Sequence, residues 1–376
     1  MAVESPRRAA RRTMLVTGGT GTLGGALVAR FASAPADASI VVLSRGTARG
    51  SARERADTAP PGVRVLTGDV RAGSSLGIDP AVHAALTAAV TDIVHCAADT
   101  TFNRPLDQAR ATNVDGTRAV LEFAASCPAL ERLACFSTVY VAGRATGCFG
   151  EHDVGGAGGF VNSYEQSKAE MEVLVRDAMP RLPIALYRLS TIIGDSRTGA
   201  VHGFNAVHHA LRLLYQGLAP MVPGREHALV DLIPLDFAAH AAYELFERAF
   251  EPGVTYHLCA GAAGSATLGA LLDATIAAFE RHRPAWRKRS IARPALVDLD
   301  TYELFVRSVE EAGNEVLLQA TRAVQAFAYQ LAYPKVFDAC RARAVLGPRA
   351  IEPPPVLDYY DKVVRWCIET NWGAAA

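Results

Sequence analysis

The chain has 376 residues, half of them hydrophobic, and its 38 basic side chains are balanced by 38 acidic ones. That is enough apolar material for one large core or two unequal ones, and a neutral chain offers no global field for nucleic acid or an anionic membrane. No run of about 18 apolar residues is present, so no membrane span is expected.

Arg7, Arg8, Arg11 and Arg12 crowd the start, and residues 1–12 read as a basic disordered tail. No apolar stretch follows that would make it a secretory signal. Strands are expected at Met14–Thr17, Ile40–Leu43, Val63–Leu66, Asp92–His95, Leu133–Phe136 and Ile184–Leu189. Helices are expected at Gly24–Ala34, Asn113–Ala125 and Tyr164–Ala178. This alternation predicts an α/β fold, a Rossmann-type doubly wound parallel sheet, over residues 13–195. The strands are near-continuous apolar runs, as expected where helices cover both faces. Beyond residue 195 the pattern loosens. Helices fit Asn205–Gln216, Phe237–Ala249, Leu268–Arg281 and Tyr302–Ser308, and a strand fits Thr255–Cys259. Residues 196–376 are read as a smaller, mostly helical substrate-binding region, with about 230–260 returning to the first domain.

Cysteines 96, 127, 135, 148, 259, 340 and 367 are odd in number, scattered and never in Cys-x-x-Cys spacing. They read as reduced thiols of a cytoplasmic protein, with no disulfide frame and no metal site. The His208–His209 pair lacks a further ligand at usable spacing and is read as a helix or loop feature.

The first strand runs into Gly18-Gly19-Thr20-Gly21-Thr22-Leu23-Gly24. The glycines fit Gly-x-Gly-x-x-Gly on Gly19, Gly21 and Gly24, or Gly-x-x-Gly-x-x-Gly on Gly18, Gly21 and Gly24. Strand, glycine turn and helix in that order form a dinucleotide cradle, with backbone N–H groups and the helix N-terminus facing a pyrophosphate. The second strand ends in Ser44-Arg45 instead of the acid that bonds the ribose 2′-OH in NAD enzymes. Arg45 suits a 2′-phosphate, so NADPH (NADP) is the expected cofactor. Arg49 and Arg53 lie near and read as solvated loop residues.

Tyr164 and Lys168 are four residues apart on a predicted helix and so share one face. An adjacent ammonium is expected to lower the tyrosine pKa and suit the phenol to proton transfer. Tyr-x-x-x-Lys alone occurs by chance in many helices; here its weight comes from its place after a dinucleotide loop and before another strand. Phe136-Ser137-Thr138 closes a predicted strand, and the hydroxyl that holds a substrate carbonyl is assigned to Thr138, with Ser137 as its competitor.

These residues resemble the extended short-chain dehydrogenase/reductase superfamily, through the glycine loop, Asp69-Val70, His95-Cys96-Ala97-Ala98, Asn113-Val114-x-Gly116-Thr117, Ser137-Thr138 and Tyr164…Lys168. The resemblance implies that Asp69 and Val70 flank the adenine, that Ala97 and Ala98 pass under the cofactor, that Lys168 bonds the nicotinamide ribose, and that Leu189 and Ser190 lie at the nicotinamide end. The chain carries Leu189 where the superfamily often has proline. Within the superfamily it resembles most the thioester-reductase and fatty acyl-CoA reductase branch, the "male sterility" type, through 95–103, 160–170, 194–199 and 230–236. The last third is only loosely similar.

The resemblance implies NADPH-dependent reduction of an acyl thioester, held on CoA or a carrier protein, to an aldehyde or onward to an alcohol. Rival readings are a reductase of a ketone or secondary alcohol, a sugar-nucleotide epimerase or dehydratase, and a cofactor sensor without activity; sensors of this fold often lack the tyrosine or lysine. The sequence leaves the acyl group and the oligomeric state open, although helices of this superfamily often pair into homodimers.

Overall fold

The computed structural model describes residues 12–34, 38–46, 59–289 and 291–373. The tail at 1–11, Arg49 and Arg53 lie outside these residues. Arg12, read as the tail's last residue, is held in place: its guanidinium reaches Asp92 Oδ2 and Glu247 Oε2, both at 2.7 Å. Asp92 is fully buried and also takes a bond of 2.7 Å from Arg132 Nε. A buried carboxylate is tolerated when paired in this way.

The chain begins β1 (Thr13–Thr17), α1 (Thr22–Ser33), β2 (Ser39–Ser44), β3 (Val63–Thr67). A 3-10 turn follows, then α2 (Pro80–Ala89), whose start is fixed by Pro80 at the first helical position and by Asp79, which accepts from the N–H groups of Ala81 and Val82. Next come β4 (Asp92–His95), α3 (Leu106–Asn113), α4 (Asp115–Ala125), β5 (Arg132–Thr138), β6 (Gly147–Phe149) and α5 (Ser163–Ala178). Asn162 caps α5 by accepting from Glu165 N.

The chain continues through β7 (Ile184–Leu189), β8 (Thr191–Ile192), α6 (Ala206–Gln216), β9 (Met221–Pro223), β10 (Leu229–Val230), β11 (Leu232–Ile233) and α7 (Leu235–Arg248). After β12 (Thr255–Leu258), the short α8 (Gly261–Gly264) and β13 (Ala266–Thr267), the remainder is mainly helical. It comprises α9 (Leu268–His282), β14 (Ala295–Val297), α10 (Leu299–Glu311), α11 (Glu315–Leu331), β15 (Lys335–Phe337), α12 (Cys340–Leu346) and α13 (Val356–Glu369).

Seven parallel strands form the main sheet in the order β12-β7-β5-β4-β1-β2-β3. The order reverses direction between β1 and β4. In an open parallel sheet that reversal opens a crevice at the carboxyl edge, where ligands bind. Alternate residues of each strand feed two separate cores. Met14, Val16 and Val42 pack with Leu27 and Phe31 of α1 and Phe246 of α7. Leu15, Val41 and Ile93 pack with Phe123 of α4 and Met171 of α5. A third core, of Val207, Leu211, Leu271, Phe279, Tyr360 and Val364, binds α6, α9 and α13 together. The strand expected near Thr255 is therefore an edge strand of the main sheet, and α7 covers that sheet beside α1.

His208 and His209 lie in the first turn of α6. His208 is buried and completes a capping box: its Nδ1 accepts from Asn205 N at 3.1 Å, and its Nε2 donates to Ile193 O at 3.0 Å. Burial pushes its pKa down to about 4. Among the described residues no helix is long and apolar enough to cross a membrane.

Candidate active site

The glycine turn is set by close backbone approach. Gly18 has φ +70°, and a Cβ there would stand 2.5 Å from Ala97 N; a Cβ on Gly24 would collide with Gly18 O. A Cβ on Gly19 meets the side chain of Val42 at 2.9 Å, a more yielding neighbour. The obligatory glycines are thus Gly18 and Gly24, which selects the Gly18–Gly21–Gly24 spacing of the two that the sequence allows. Gly21 then opens α1 with no side-chain cap and no acid in the first turn. The first N–H groups of that helix, at Thr22, Leu23 and Gly24, face the crevice end with the positive end of the helix dipole. A cradle that a Cβ would fill, closed by an uncapped helix, fits the pyrophosphate of a dinucleotide.

Charge gathers beyond the carboxyl ends of β2 and β3. Arg45 is exposed just beyond β2. Asp69 takes Nη2 of Arg71 at 2.7 Å and also its backbone N–H. Burial works to raise the Asp69 carboxyl, but the hydrogen bonds and charge of Arg71, with the charge of Arg45, hold it below its ordinary value. Val70 is buried beneath Gly116, where a Cβ would meet the valine at 2.8 Å.

A second cluster of polar side chains lies at the carboxyl edges of β5 and β7. Thr138 ends β5; its Oγ1 accepts from Tyr140 N at 3.2 Å, and the hydroxyl is near enough to the Tyr164 phenol to favour its ionised form. Ser137, the competitor, points its Oγ into the interior without a partner. Lys168 is buried one turn along α5 from Tyr164, and its Nζ donates to Phe136 O at 2.7 Å. Burial lowers the Lys168 pKa to about 8, against the opposing pull of Glu172. Tyr164, whose ring is partly exposed, departs from expectation. Burial of its phenol dominates and pushes it up to about 12, with Thr138 opposing, and Lys168 does not depress it in this geometry. At neutral pH the phenol therefore holds its proton and is placed as a donor.

β1, β4 and β5 are successive neighbours, so their edges lie within about 10 Å of one another across two strand spacings. Lys168 is close enough to His95 and Cys96, at the end of β4, to shift both electrostatically. Glycine turn and phenol therefore meet at one crevice. Ser190 donates to Asp231 O at 2.8 Å, which fixes the backbone just past β7, while the Leu189 side chain belongs to the core. Gly18 presses against the backbone of Cys96 and Ala97, just beyond β4.

The sequence reading missed three supports. Phe102, in the loop after β4, stacks on the Tyr164 ring with centroids 5.6 Å apart. A buried polar chain runs from β1 to α5: Thr17 Oγ1 to His95 Nδ1 at 2.7 Å, His95 Nε2 to Thr117 Oγ1 at 2.9 Å, and Thr117 Oγ1 to Asn113 O at 2.7 Å. Asn113 Nδ2 then donates to Ser167 Oγ, which donates to Tyr164 O. Because Thr117 spends its proton on Asn113 O, His95 donates from Nε2 and accepts at Nδ1. The third support comes from far along the chain. Gln330 Nε2 donates to Glu165 Oε1 at 2.6 Å, and Lys335 Nζ donates to Gly143 O at 2.8 Å. Glu165 carried a signal, an acid inside the Tyr-x-x-x-Lys segment; Gln330 carried none.

The family model described as male sterility protein, an NAD-binding domain, matches residues 16–242. The chain is 27% identical over 203 residues to glycine betaine reductase ATRR of Emericella nidulans, covering 52% of this chain and 16% of that protein. It is 30% identical over 216 residues to isonitrile lipopeptide synthase of Streptomyces coeruleorubidus, covering 53% of this chain and 14% of that protein. The chain thus spans a small part of the curated relatives it matches. In fold it is similar to the terminal R domain from the myxalamid PKS-NRPS biosynthetic pathway, with TM-score 0.77, 24% identity, and 98% of this chain and 93% of that one covered.

Proposed function

The chain belongs to the male sterility protein family of extended short-chain dehydrogenases/reductases and is an NAD(P)-dependent oxidoreductase, and we propose that it uses NADPH to reduce an acyl thioester to an aldehyde. The observation that carries the reaction type is the meeting of the Thr138 hydroxyl, the Tyr164 phenol and Lys168 at the crevice that the Gly18 turn also lines. The thioester substrate is carried by kinship: the relatives include a reductase and a lipopeptide synthase, and the similar structure is the terminal R domain of a PKS-NRPS pathway.

The residues assigned to the cofactor are Gly18, Thr20, Gly21, Thr22, Leu23 and Gly24 at the phosphates, Arg45 at a 2′-phosphate, and Asp69 and Val70 at the adenine. Ala97 and Ala98 lie beneath it, and Lys168, Leu189 and Ser190 stand at its nicotinamide end. The bound cofactor supplies the hydride. Thr138 holds the carbonyl oxygen, and Tyr164 donates its proton to that oxygen as negative charge develops there, so stabilisation is concentrated where the transition state needs it. Lys168 orients the ribose; its one donor bond to Phe136 O leaves further N–H groups for that task. The carbonyl carbon thus gains hydride and its oxygen a proton, giving a hemithioacetal. Its hydroxyl then gives up its proton as the C–S bond breaks and sulfur takes one, releasing a thiol and an aldehyde. A carrier protein or CoA is the thiol's owner in this reading, and residues 196–376 hold the acyl part.

The test follows NADPH oxidation and free thiol together, with acyl-CoA and acyl-carrier substrates. One thiol released for each aldehyde supports the proposal. Turnover of ketones or secondary alcohols with no thiol from any thioester overturns it, and tightly retained NAD after purification would point to an epimerase or dehydratase instead.

A further inference from the structure

We propose that residues 201–204 form a strap across the crevice, and that its backbone N–H groups hold the cofactor's phosphates together with those at the start of α1. The strap then governs how long the cofactor stays bound. The inference rests on the placing of the family's NAD(P) cofactor at the Gly18–Gly24 turn, and not on the identity of the acyl substrate.

Topology makes the crossing. β7 ends at Leu189, and in the sheet β5 and β4 stand between it and β1. Three strand spacings are about 14 Å. Yet Gly203, on the segment between β8 and α6, lies against Thr22, the first residue of α1. A Cβ on Gly203 would stand 2.6 Å from Thr22 Oγ1. The chain leaving β7 therefore spans the carboxyl edges of β5 and β4 to reach the glycine turn beyond β1. Gly203 has no positive φ, so alanine or valine would fit its backbone. Its own chain neighbours aside, Thr22 is the one described residue within 4 Å of that Cβ. A missing side chain here serves the approach to Thr22.

Both ends of the strap are fixed while its middle keeps its donors unused. Before it, Asp195 Oδ1 accepts from Thr198 N at 2.8 Å, Asp236 Oδ2 takes the Ser196 hydroxyl at 2.6 Å, and a Cβ on Gly199 would collide with Lys362 O. After it, Asn205 caps α6 and its Nδ2 donates to Ile192 O at 2.7 Å. Val201 and Phe204 pack against the third core, and His202 and Gly203 between them are exposed. Among the described residues the N–H groups of Val201, His202, Gly203 and Phe204 make no hydrogen bond. A main-chain N–H that the protein leaves unpaired turns to water or to a ligand. Successive donors of this kind beside an uncapped helix N-terminus suit an anion. Residues 199–205 carry no acid that would repel one.

The experiment uses the full chain and reads binding, not turnover. NADPH fluorescence follows dissociation in stopped flow after a chase with excess NADP⁺. Gly203→Val wedges the strap away from Thr22, and NADPH is expected to leave at least about tenfold faster, the weight of a hydrogen bond to a charged group. Thr22→Ala in the same chain removes the atom that the new side chain meets and leaves the Thr22 Cβ 3.9 Å from it. The double variant should therefore recover most of the slow release shown by Thr22→Ala alone. Melting temperatures without cofactor check that each variant is folded, and Gly203→Ala replaces Gly203→Val if the latter melts early. Unchanged release in the Gly203 variant overturns the strap, and so does a faster release that Thr22→Ala fails to reverse. A wild type that binds neither NADPH nor NADH overturns the placing of the cofactor itself, a result separate from both.

Discussion

Gln330 Nε2 lies 2.6 Å from Glu165 Oε1, which ties the last turn of α11 to the residue beside Tyr164 across 165 positions of sequence. Glu165 is fully buried and also accepts from Val161 N at 2.9 Å. Burial raises its pKa, with those hydrogen bonds and the charges of Lys335 and Arg144 opposing. The C-terminal region therefore clasps the start of the helix that carries Tyr164 and Lys168, while β15 pairs with β6 and Lys335 holds Gly143 O. Gln330→Leu leaves a buried carboxyl short of a donor and is expected to cost about 1–3 kcal/mol of stability. If the clasp positions Tyr164, kcat should fall more than KM for NADPH rises, a split that stability loss alone would not produce. Denaturant melts and steady-state kinetics of the variant check both.

Removing the phenol separates chemistry from binding. Tyr164→Phe keeps the ring and its stacking on Phe102, so NADPH affinity should stay near wild type while kcat drops roughly 10²–10⁴-fold, the usual weight of a positioned proton donor. Thr138→Val should lower kcat/KM for the acyl substrate, whereas Ser137→Ala should change it little, since the Ser137 hydroxyl has no partner and faces the interior. An equal loss in Ser137→Ala would reassign the hydroxyl.

Lys168 predicts an alkaline limb. Its ammonium loses its proton at about pH 8 in the folded chain, against an ordinary value of 10.5. Since kcat/KM reports the free enzyme, kcat/KM for NADPH should decline as pH rises through about 8. Lys335 is lowered to about 8 as well, by burial. The two are told apart by variants: the limb should vanish in Lys168→Met and persist in Lys335→Met. Stability carries the opposite sign. Between pH 8 and 10.5 the unfolded chain binds the proton that folded Lys168 has released, so this group's contribution to stability improves as pH rises across that window.

Cofactor choice should turn on Arg45. Arg45→Asp replaces a cation that suits a 2′-phosphate with an anion that repels it and bonds a ribose 2′-OH. The ratio of kcat/KM for NADPH over NADH is expected to fall by about tenfold or more, the weight of a charged hydrogen bond. An unchanged ratio would show that the 2′ position is read elsewhere.

The His95 chain predicts acid sensitivity. Burial holds His95 neutral down to about pH 3, with Lys168 adding to the effect, while the unfolded imidazole takes a proton near its ordinary 6.5. Protons then bind the unfolded state more, so this contribution to stability is complete above 6.5 and is lost as pH falls toward 3. His95→Phe should lower the melting temperature at pH 7, because the Thr17 hydroxyl loses the ring nitrogen to which it donates, and should flatten the fall between pH 6.5 and 4.5.

Much of this architecture was written in local sequence. Short apolar strands alternating with amphipathic helices, glycines at 18, 21 and 24, and Tyr164 four positions before Lys168 are all patterns that backbone geometry reads without distant partners. α13 was also legible in principle, since its buried positions 356, 359, 360, 363, 364, 367 and 368 keep helical spacing. Other features belong to the fold alone. Which glycine register is used depends on Gly18 meeting Ala97 just beyond the neighbouring strand β4. Which hydroxyl faces the phenol depends on the pleat of β5, and whether Tyr164 is acidic or reluctant depends on what buries it. The Gln330 clasp joins segments more than a hundred residues apart. Hydrogen bonding along one helix or strand is a short-range property that sequence carries directly. Desolvation and close contact arise only when distant segments pack, and those decided the protonation states and the glycine register.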